Sequence, residues 1–317
     1  VRALVGHTKD VRAVDYLPDG RLVSGGSDRT VRIWNPVTGE TVRTIKAGTP
    51  VYAVAVAPDG RTLAYAGRHP AVEAASTPIQ TFRLEENLPG FTFRCPFMPP
   101  PPNLAASYPT GVPRSVWSLS FSADGRTFAA AGRIMGGGNI PNGGGGHWFR
   151  TADASAHGPL ATARAYTLRF APEGDSLAVT GDAVVEFYAS PREPKPVVTY
   201  PLQSQWAAAV AFVPGSSMAV VGVNPALYFV DASVRKKPQK VKTGFRKIAA
   251  VATSADGKAV FVGGKPDGIE VYAPETGSLR VRYEFGLGGV HAIAVAPDGL
   301  TFAVAGDKGL AMFDWDG

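Results

Sequence analysis

Short runs of alternating apolar and polar residues recur along the whole chain, each broken by a turn rich in Pro, Asp and Gly. Alternation with a period of two marks a strand with one face buried. The first run ends Val14-Asp15-Tyr16-Leu17-Pro18-Asp19-Gly20. The turn returns at Pro58-Asp59-Gly60, Ala123-Asp124-Gly125, Pro172-Glu173-Gly174, Pro214-Gly215-Ser216, Ala255-Asp256-Gly257 and Pro297-Asp298-Gly299. Pro presets the first turn angle, Asp bonds the backbone beyond it, and Gly accepts a positive φ, so each site predicts a hairpin.

The spacing of these turns predicts the architecture. From Asp19 onward the intervals are 40, 65, 49, 42, 41 and 42 residues. The 19 residues up to Asp19 and the 19 after Asp298 together make one more interval, cut by the termini. Roughly 40 residues hold four short strands, so the chain reads as one all-β domain, a closed seven-bladed β-propeller over 1–317. A two-sheet sandwich of hairpins fits seven regular units less well. The run Leu310-Ala311-Met312-Phe313-Asp314 reads as a third strand, and Arg2-Ala3-Leu4-Val5 is expected to supply the fourth. Pairing the termini in one blade removes a free sheet edge.

Two intervals are long. The first holds an insertion within 68–114 that includes Cys95-Pro96-Phe97-Met98-Pro99-Pro100-Pro101-Pro102. Prolines donate no ladder hydrogen bond, so this stretch is expected outside a sheet, in the connection between blades two and three. The second holds Gly132–Gly146, expected as a glycine-rich surface loop. It lacks the Gly-Lys-Ser/Thr ending of a phosphate-binding loop.

The first blade carries the clearest motif. Gly6-His7 precedes its first strand, Ser24-Gly25-Gly26-Ser27-Asp28 follows its second, and Ile33-Trp34-Asn35 ends its third. Residues 6–34 resemble the WD40-repeat family, with Asn35 where that family usually has Asp. The resemblance implies a structural tetrad of His7, Ser24, Asp28 and Trp34, hydrogen-bonded within the blade rather than catalytic. It also implies a top face on which inter-blade loops open, both insertions included, and where partners bind. The other blades end their third strands in Phe149, Tyr188, Val230, Tyr272 and Phe313, with blade two unassigned.

Aligning the blades places Arg12, Tyr52, Trp117, Tyr166, Ala208, Ala249 and His291 at one position. Two residues earlier stand Asp10, Pro50, Ser115, Arg164, Trp206, Lys247 and Gly289. In WD40 proteins both positions ring the top of the channel. Arg29, Arg68, Arg133, Lys265 and Lys308 follow the second strands and are expected on the same rim. Trp, Tyr and Arg dominate binding hot spots. The expected partner site is therefore Arg12, Arg29, Tyr52, Arg68, Trp117, Arg133, Arg164, Tyr166, Trp206, Lys247 and His291. Its basic, aromatic character favours an acidic or Pro-flanked protein segment.

Composition narrows the choices. The 317 residues are 45% apolar and 18% charged, a globular mixture, and 37 Gly with 27 Pro suit many turns. The single Cys95 excludes an intrachain disulfide framework and a zinc site built on several thiolates. No apolar run reaches the roughly 18 residues that span a membrane, and no secretory-type N-terminal pattern is present. A cytoplasmic, monomeric propeller with no cofactor and no metal is expected. The net charge of +6 and the cluster Arg235–Lys242 give only a weak case for nucleic acid, with no helix to read bases. A metal-dependent hydrolase or lactonase-like propeller needs several inward acidic or His ligands, and the mouth offers only Asp10 and His291. No Gly-x-Ser-x-Gly elbow occurs. The chain begins at Val1 without Met, so a sensor or targeting domain cut from a longer polypeptide is the alternative to a free-standing, non-catalytic scaffold.

Overall fold

The computed structural model describes the chain apart from residues 69–75, 97–113, 135–142, 153–155, 161–164, 182, 194, 203–206 and 316–317. After β1 (Arg2–Leu4), the strands form blades in chain order. Blade one is β2 (Val11–Tyr16), β3 (Leu22–Gly26), β4 (Thr30–Trp34) and β5 (Thr41–Lys46). Blade two is β6 (Val51–Val56), β7 (Thr62–Gly67), β8 (Ser76–Arg83) and β9 (Leu88–Pro96). Blade three is β10 (Arg114–Phe121), β11 (Thr127–Ile134), β12 (Gly143–Arg150) and β13 (Ala156–Pro159). Blade four is β14 (Thr167–Phe170), β15 (Leu177–Thr180), β16 (Val184–Tyr188) and β17 (Val198–Pro201). Blade five is β18 (Ala207–Phe212), β19 (Met218–Val223), β20 (Ala226–Asp231) and β21 (Gln239–Lys242). Blade six is β22 (Lys247–Thr253), β23 (Val260–Lys265), β24 (Ile269–Tyr272) and β25 (Leu279–Tyr283). Blade seven is β26 (Val290–Val295), β27 (Thr301–Gly306) and β28 (Gly309–Asp314), completed by β1.

The seven sheets are antiparallel, four-stranded and arranged in a ring. The first strand of each blade packs beside the first strand of the next, and β26 returns to β2. Arg2, Ala3 and Leu4 pair with Met312, Ala311 and Leu310, so the two ends of the chain share one sheet. Among the described residues no helix is long and apolar enough to cross a membrane.

The Asp-Gly turns behave as their chemistry dictates. Gly20, Gly60, Gly125, Gly174, Gly257 and Gly299 hold φ between 67° and 87°. The preceding Asp side chain accepts the N–H two residues on in five of these turns, as Asp19 does from Arg21 at 3.0 Å. Blade five uses Pro214-Gly215 instead and moves the positive φ one place forward, to Gly215 at 71°.

Burial is deeper in the second strand than in the first in blades one, six and seven, and falls toward the outermost strand. β3 is buried throughout, whereas the outermost β21 and β25 are largely exposed. The core lies between neighbouring blades: Leu17, Val23 and Ile33 of blade one meet Val54, Leu63 and Phe82 of blade two. Phe93, Phe128 and Phe149 fill the next interface, Phe93 meeting Phe128 edge-on at 4.6 Å. Phe82 proves to be the third-strand residue of blade two, opposite Leu63, as Trp34 is opposite Leu22.

Two expectations need correction. Gly143–Gly146 is strand, not loop: it opens β12 and pairs with Ile134–Ala131 of β11. Leu160 lies over Gly146 so closely that a Cβ there would stand 2.6 Å from it, so the glycine admits the neighbouring chain. Cys95 and Pro96 end β9, opposite Thr77 and Ser76. β9 is the outermost strand of its sheet, the place in a sheet where proline is tolerated. Phe97–Pro102 and Gly136–Gly138 lie outside the described residues.

Candidate functional site at the channel mouth

The ring encloses an axial channel of about 890 Å³ lined by the first strands. In six blades the register of that strand skips one residue, at Arg12, Tyr52, Trp117, Ala208, Ala249 and His291. A bulge leaves its extra residue out of the ladder and re-aims its side chain. In blade four Tyr166 precedes β14, its N–H bonding the Thr180 carbonyl at 2.8 Å. All seven residues line the channel.

The side chains of blades one to three form a continuous surface. Asp10 pairs with the Arg12 guanidinium. The Arg12 guanidinium carbon lies 6.0 Å from the centre of the Tyr52 ring. Tyr52 and Trp117 meet at 5.0 Å with their planes tilted by 36°. Trp117 is 39% exposed, a large apolar side chain open to solvent. Tyr166 also lines the channel but is buried, so little of its ring is open to solvent.

Blades six and seven contribute charge. His291 Nε2 lies 2.7 Å from Asp307 Oδ1, and Asp307 Oδ2 accepts the Gly289 N–H at 2.8 Å. Lys265 Nζ stands 3.5 Å from the same carboxylate. Burial and the Arg12 charge lower the pKa of His291, against the pull of Asp307. Burial works to raise the Asp307 carboxyl, but its bonds to Gly289 and His291 outweigh it and hold it low. Lys247 is exposed at the start of β22 and lines the channel.

The expected site is thus gathered only in part. Arg12, Tyr52, Trp117, Tyr166, Lys247 and His291 share the channel. Arg29, in the β3–β4 turn, and Arg68, bridged to Ser115, do not line it, while Arg133, on β11, pairs with Ser115 and its side chain is outside the described residues. Arg164 and Trp206 fall outside the described residues. Sequence reasoning missed Asp307, whose signal is a two-residue turn between β27 and β28. It also missed Arg169, which lines the channel three residues beyond Tyr166.

Away from the mouth, the blade-one tetrad closes a hydrogen-bonded chain. Trp34 Nε1–H donates to Ser24 Oγ at 2.8 Å, and Ser24 Oγ lies 2.7 Å from His7 Nε2. His7 Nδ1 faces Asp28 Oδ2 at 2.9 Å. With the indole N–H on its oxygen, the serine hydroxyl donates to His7 Nε2, so His7 carries its proton on Nδ1. The order Ser–His–Asp is that of a hydrolase triad, but Ser24 is wholly buried and no substrate reaches it. Burial lowers the pKa of His7 despite Asp28. Burial also works to raise the Asp28 carboxyl, but bonds from His7, Thr30 and Thr8 hold it below the usual range.

Blades four and six build a different lock from a Glu-x-Tyr pair. Tyr188 Oη–H donates to Glu186 at 2.8 Å, and Tyr272 Oη–H donates to Glu270 at 2.6 Å. Glu270 is buried; it also accepts the Gly244 N–H at 3.1 Å and pairs with Arg282. Burial, then the adjacent carboxylate, pushes both phenols up. Among the described residues no group of three or more His, Cys, Asp or Glu side chains could hold a metal ion.

Comparison with known proteins agrees with this architecture. Residues 1–35 match the family model described as WD domain, G-beta repeat. A ribosome biogenesis protein BOP1 homolog of Drosophila mojavensis is 46% identical over 57 residues, 18% of this chain and 7% of that protein. Protein Mut11 of Chlamydomonas reinhardtii is 56% identical over 43 residues, 13% of this chain and 12% of its own length. Nuclear distribution protein nudF of Emericella nidulans is 34% identical over 108 residues, 32% of this chain and 24% of its own. The matched stretches therefore span a quarter or less of those relatives. The chain is a seven-bladed β-propeller whose first blade carries the WD40 repeat motif.

Proposed function

We propose that the protein is a non-catalytic binding module that holds a protein or peptide segment over the channel mouth. The observation that carries this reading is the run Arg12–Tyr52–Trp117, three neighbouring bulges that present one cation and two touching rings, with Trp117 open to solvent. Such groups are rigid, large and amphipathic, so covering them releases water at small entropic cost. The relatives favour the general role of a scaffold: their names refer to ribosome biogenesis in one case and nuclear distribution in another. Propellers also host enzymes, so it is the site that supports this reading. The test is affinity capture from source-cell lysate with wild type beside Tyr52→Ala/Trp117→Ala, both checked for equal thermal melting. A partner held by wild type and retained at least tenfold more weakly by the variant is the expected result. Equal retention by both proteins would remove the mouth as the binding surface.

A further inference from the structure

Behind the mouth the residues that follow five of the bulges are small: Ala13, Ala53, Ala209, Ala250 and Ala292 line the channel. Its rim is uneven. Arg12, Tyr52, Trp117 and Tyr166 crowd one arc, whereas the bulge positions of blades five and six hold only Ala208 and Ala249.

The charges inside are unevenly satisfied. Asp10 holds Arg12, and Asp307 serves both Lys265 and His291. Lys247 stands exposed at the start of β22, two residues before Ala249. Arg169 is exposed within the lumen, on β14, and its charge reaches the Asp15 carboxylate on the opposite wall. Asp15 is not its ion-pair partner. That carboxylate is turned into the wall, where it accepts the Val56 and Tyr16 N–H groups, each at 2.9 Å. Among the described residues neither Arg169 nor Lys247 makes an ion pair.

We propose that the channel is a carboxylate-recognition site: an acidic side chain of a peptide partner enters over Ala208 and Ala249, meets Lys247 at the rim and reaches Arg169 below. A guanidinium fork matches a carboxylate with two parallel hydrogen bonds. Alanine walls offer no competing donors, and low-dielectric walls around the lumen focus the field of the two cations. A cationic ligand is disfavoured, because Arg12 already covers the Tyr52 face.

This inference rests on the mouth being the binding surface, and the test separates the two. Fluorescein-labelled peptides of repeating Glu-Gly, Gln-Gly and Lys-Gly are titrated against the full chain by fluorescence polarisation at low and high salt. Wild type runs beside Arg169→Gln, Lys247→Gln and Trp117→Ala, each with unchanged melting. The Glu-Gly peptide is expected to bind saturably, about tenfold more weakly in each charge variant and more weakly in high salt. Equal affinity for the Gln-Gly or Lys-Gly peptide, indifference to both charge variants, or no saturable Glu-Gly binding overturns it. If Trp117→Ala still releases the lysate partner in those cases, the mouth survives as the site and only the carboxylate is lost. If Arg169→Gln releases the partner and Trp117→Ala does not, the carboxylate site stands and only the Trp117 contact is lost.

Discussion

His7 ties the stability of blade one to proton concentration. Its folded pKa lies below the ordinary value of 6.5, so in acid the unfolded chain takes up protons that the fold refuses. Its contribution is complete above that value and is lost as pH falls through it. His147 and His291 shift in the same direction, both chiefly by burial. The turn carboxylates Asp124 and Asp256 are held low by their Ser122 and Ser254 hydroxyls, so their contributions persist until far lower pH. Asp15 acts in the opposite sense, because burial raises it and protonation relieves that cost. The urea midpoint is therefore expected to fall between about pH 7.5 and about pH 5, and less so in His7→Asn. An unchanged midpoint would mean that His7 is charged in the fold.

At the scale of the strand, the Glu-x-Tyr pairs of β16 and β24 stand where blade one has its tetrad, and they differ in how many groups they satisfy. Glu270 serves Tyr272, Gly244 and Arg282, whereas Tyr188 is the described partner of Glu186. Glu270→Ala strands a buried phenol and an amide, an expected loss of about 3 kcal/mol, against about 1 kcal/mol for Glu186→Ala. Equilibrium denaturation gives both, and equal losses would show that the Gly244 bond contributes nothing. The Asp-Gly hairpins were legible in the sequence because every interaction that makes them is local. Trp34, Ser24, His7 and Asp28 were legible because one blade holds all four. β12 was misread because glycine favours no strand, and only Leu160 and β11, distant in sequence, explain it. Pro96 was misread because a ban on proline in sheets does not reach the outermost strand. Arg169 stayed hidden because its surroundings come from other blades, and Asp307 because its partners Gly289, His291 and Lys265 lie 16 or more residues away in sequence.

For the ring as a whole, closure depends on three residues. Arg2–Leu4 completes blade seven, and Leu4 packs with Val11 and Trp34 of blade one and Leu310 of blade seven. Removing residues 1–5 leaves β28 as an open edge and uncovers that junction. The truncated chain is expected to melt roughly 5 °C lower and to associate through the exposed strand, as differential scanning calorimetry and light scattering would read. Unchanged melting and a monomer would show that the ring holds without its seam. The bulge carries a different consequence. In six blades one position is excused from pairing, and it holds Arg, Tyr, Trp, Ala, Ala and His without disturbing the register of its neighbours. Side-chain identity at the mouth is thereby decoupled from folding. A lineage can rewrite the lining of this mouth one blade at a time, each change arriving with the framework beneath it intact.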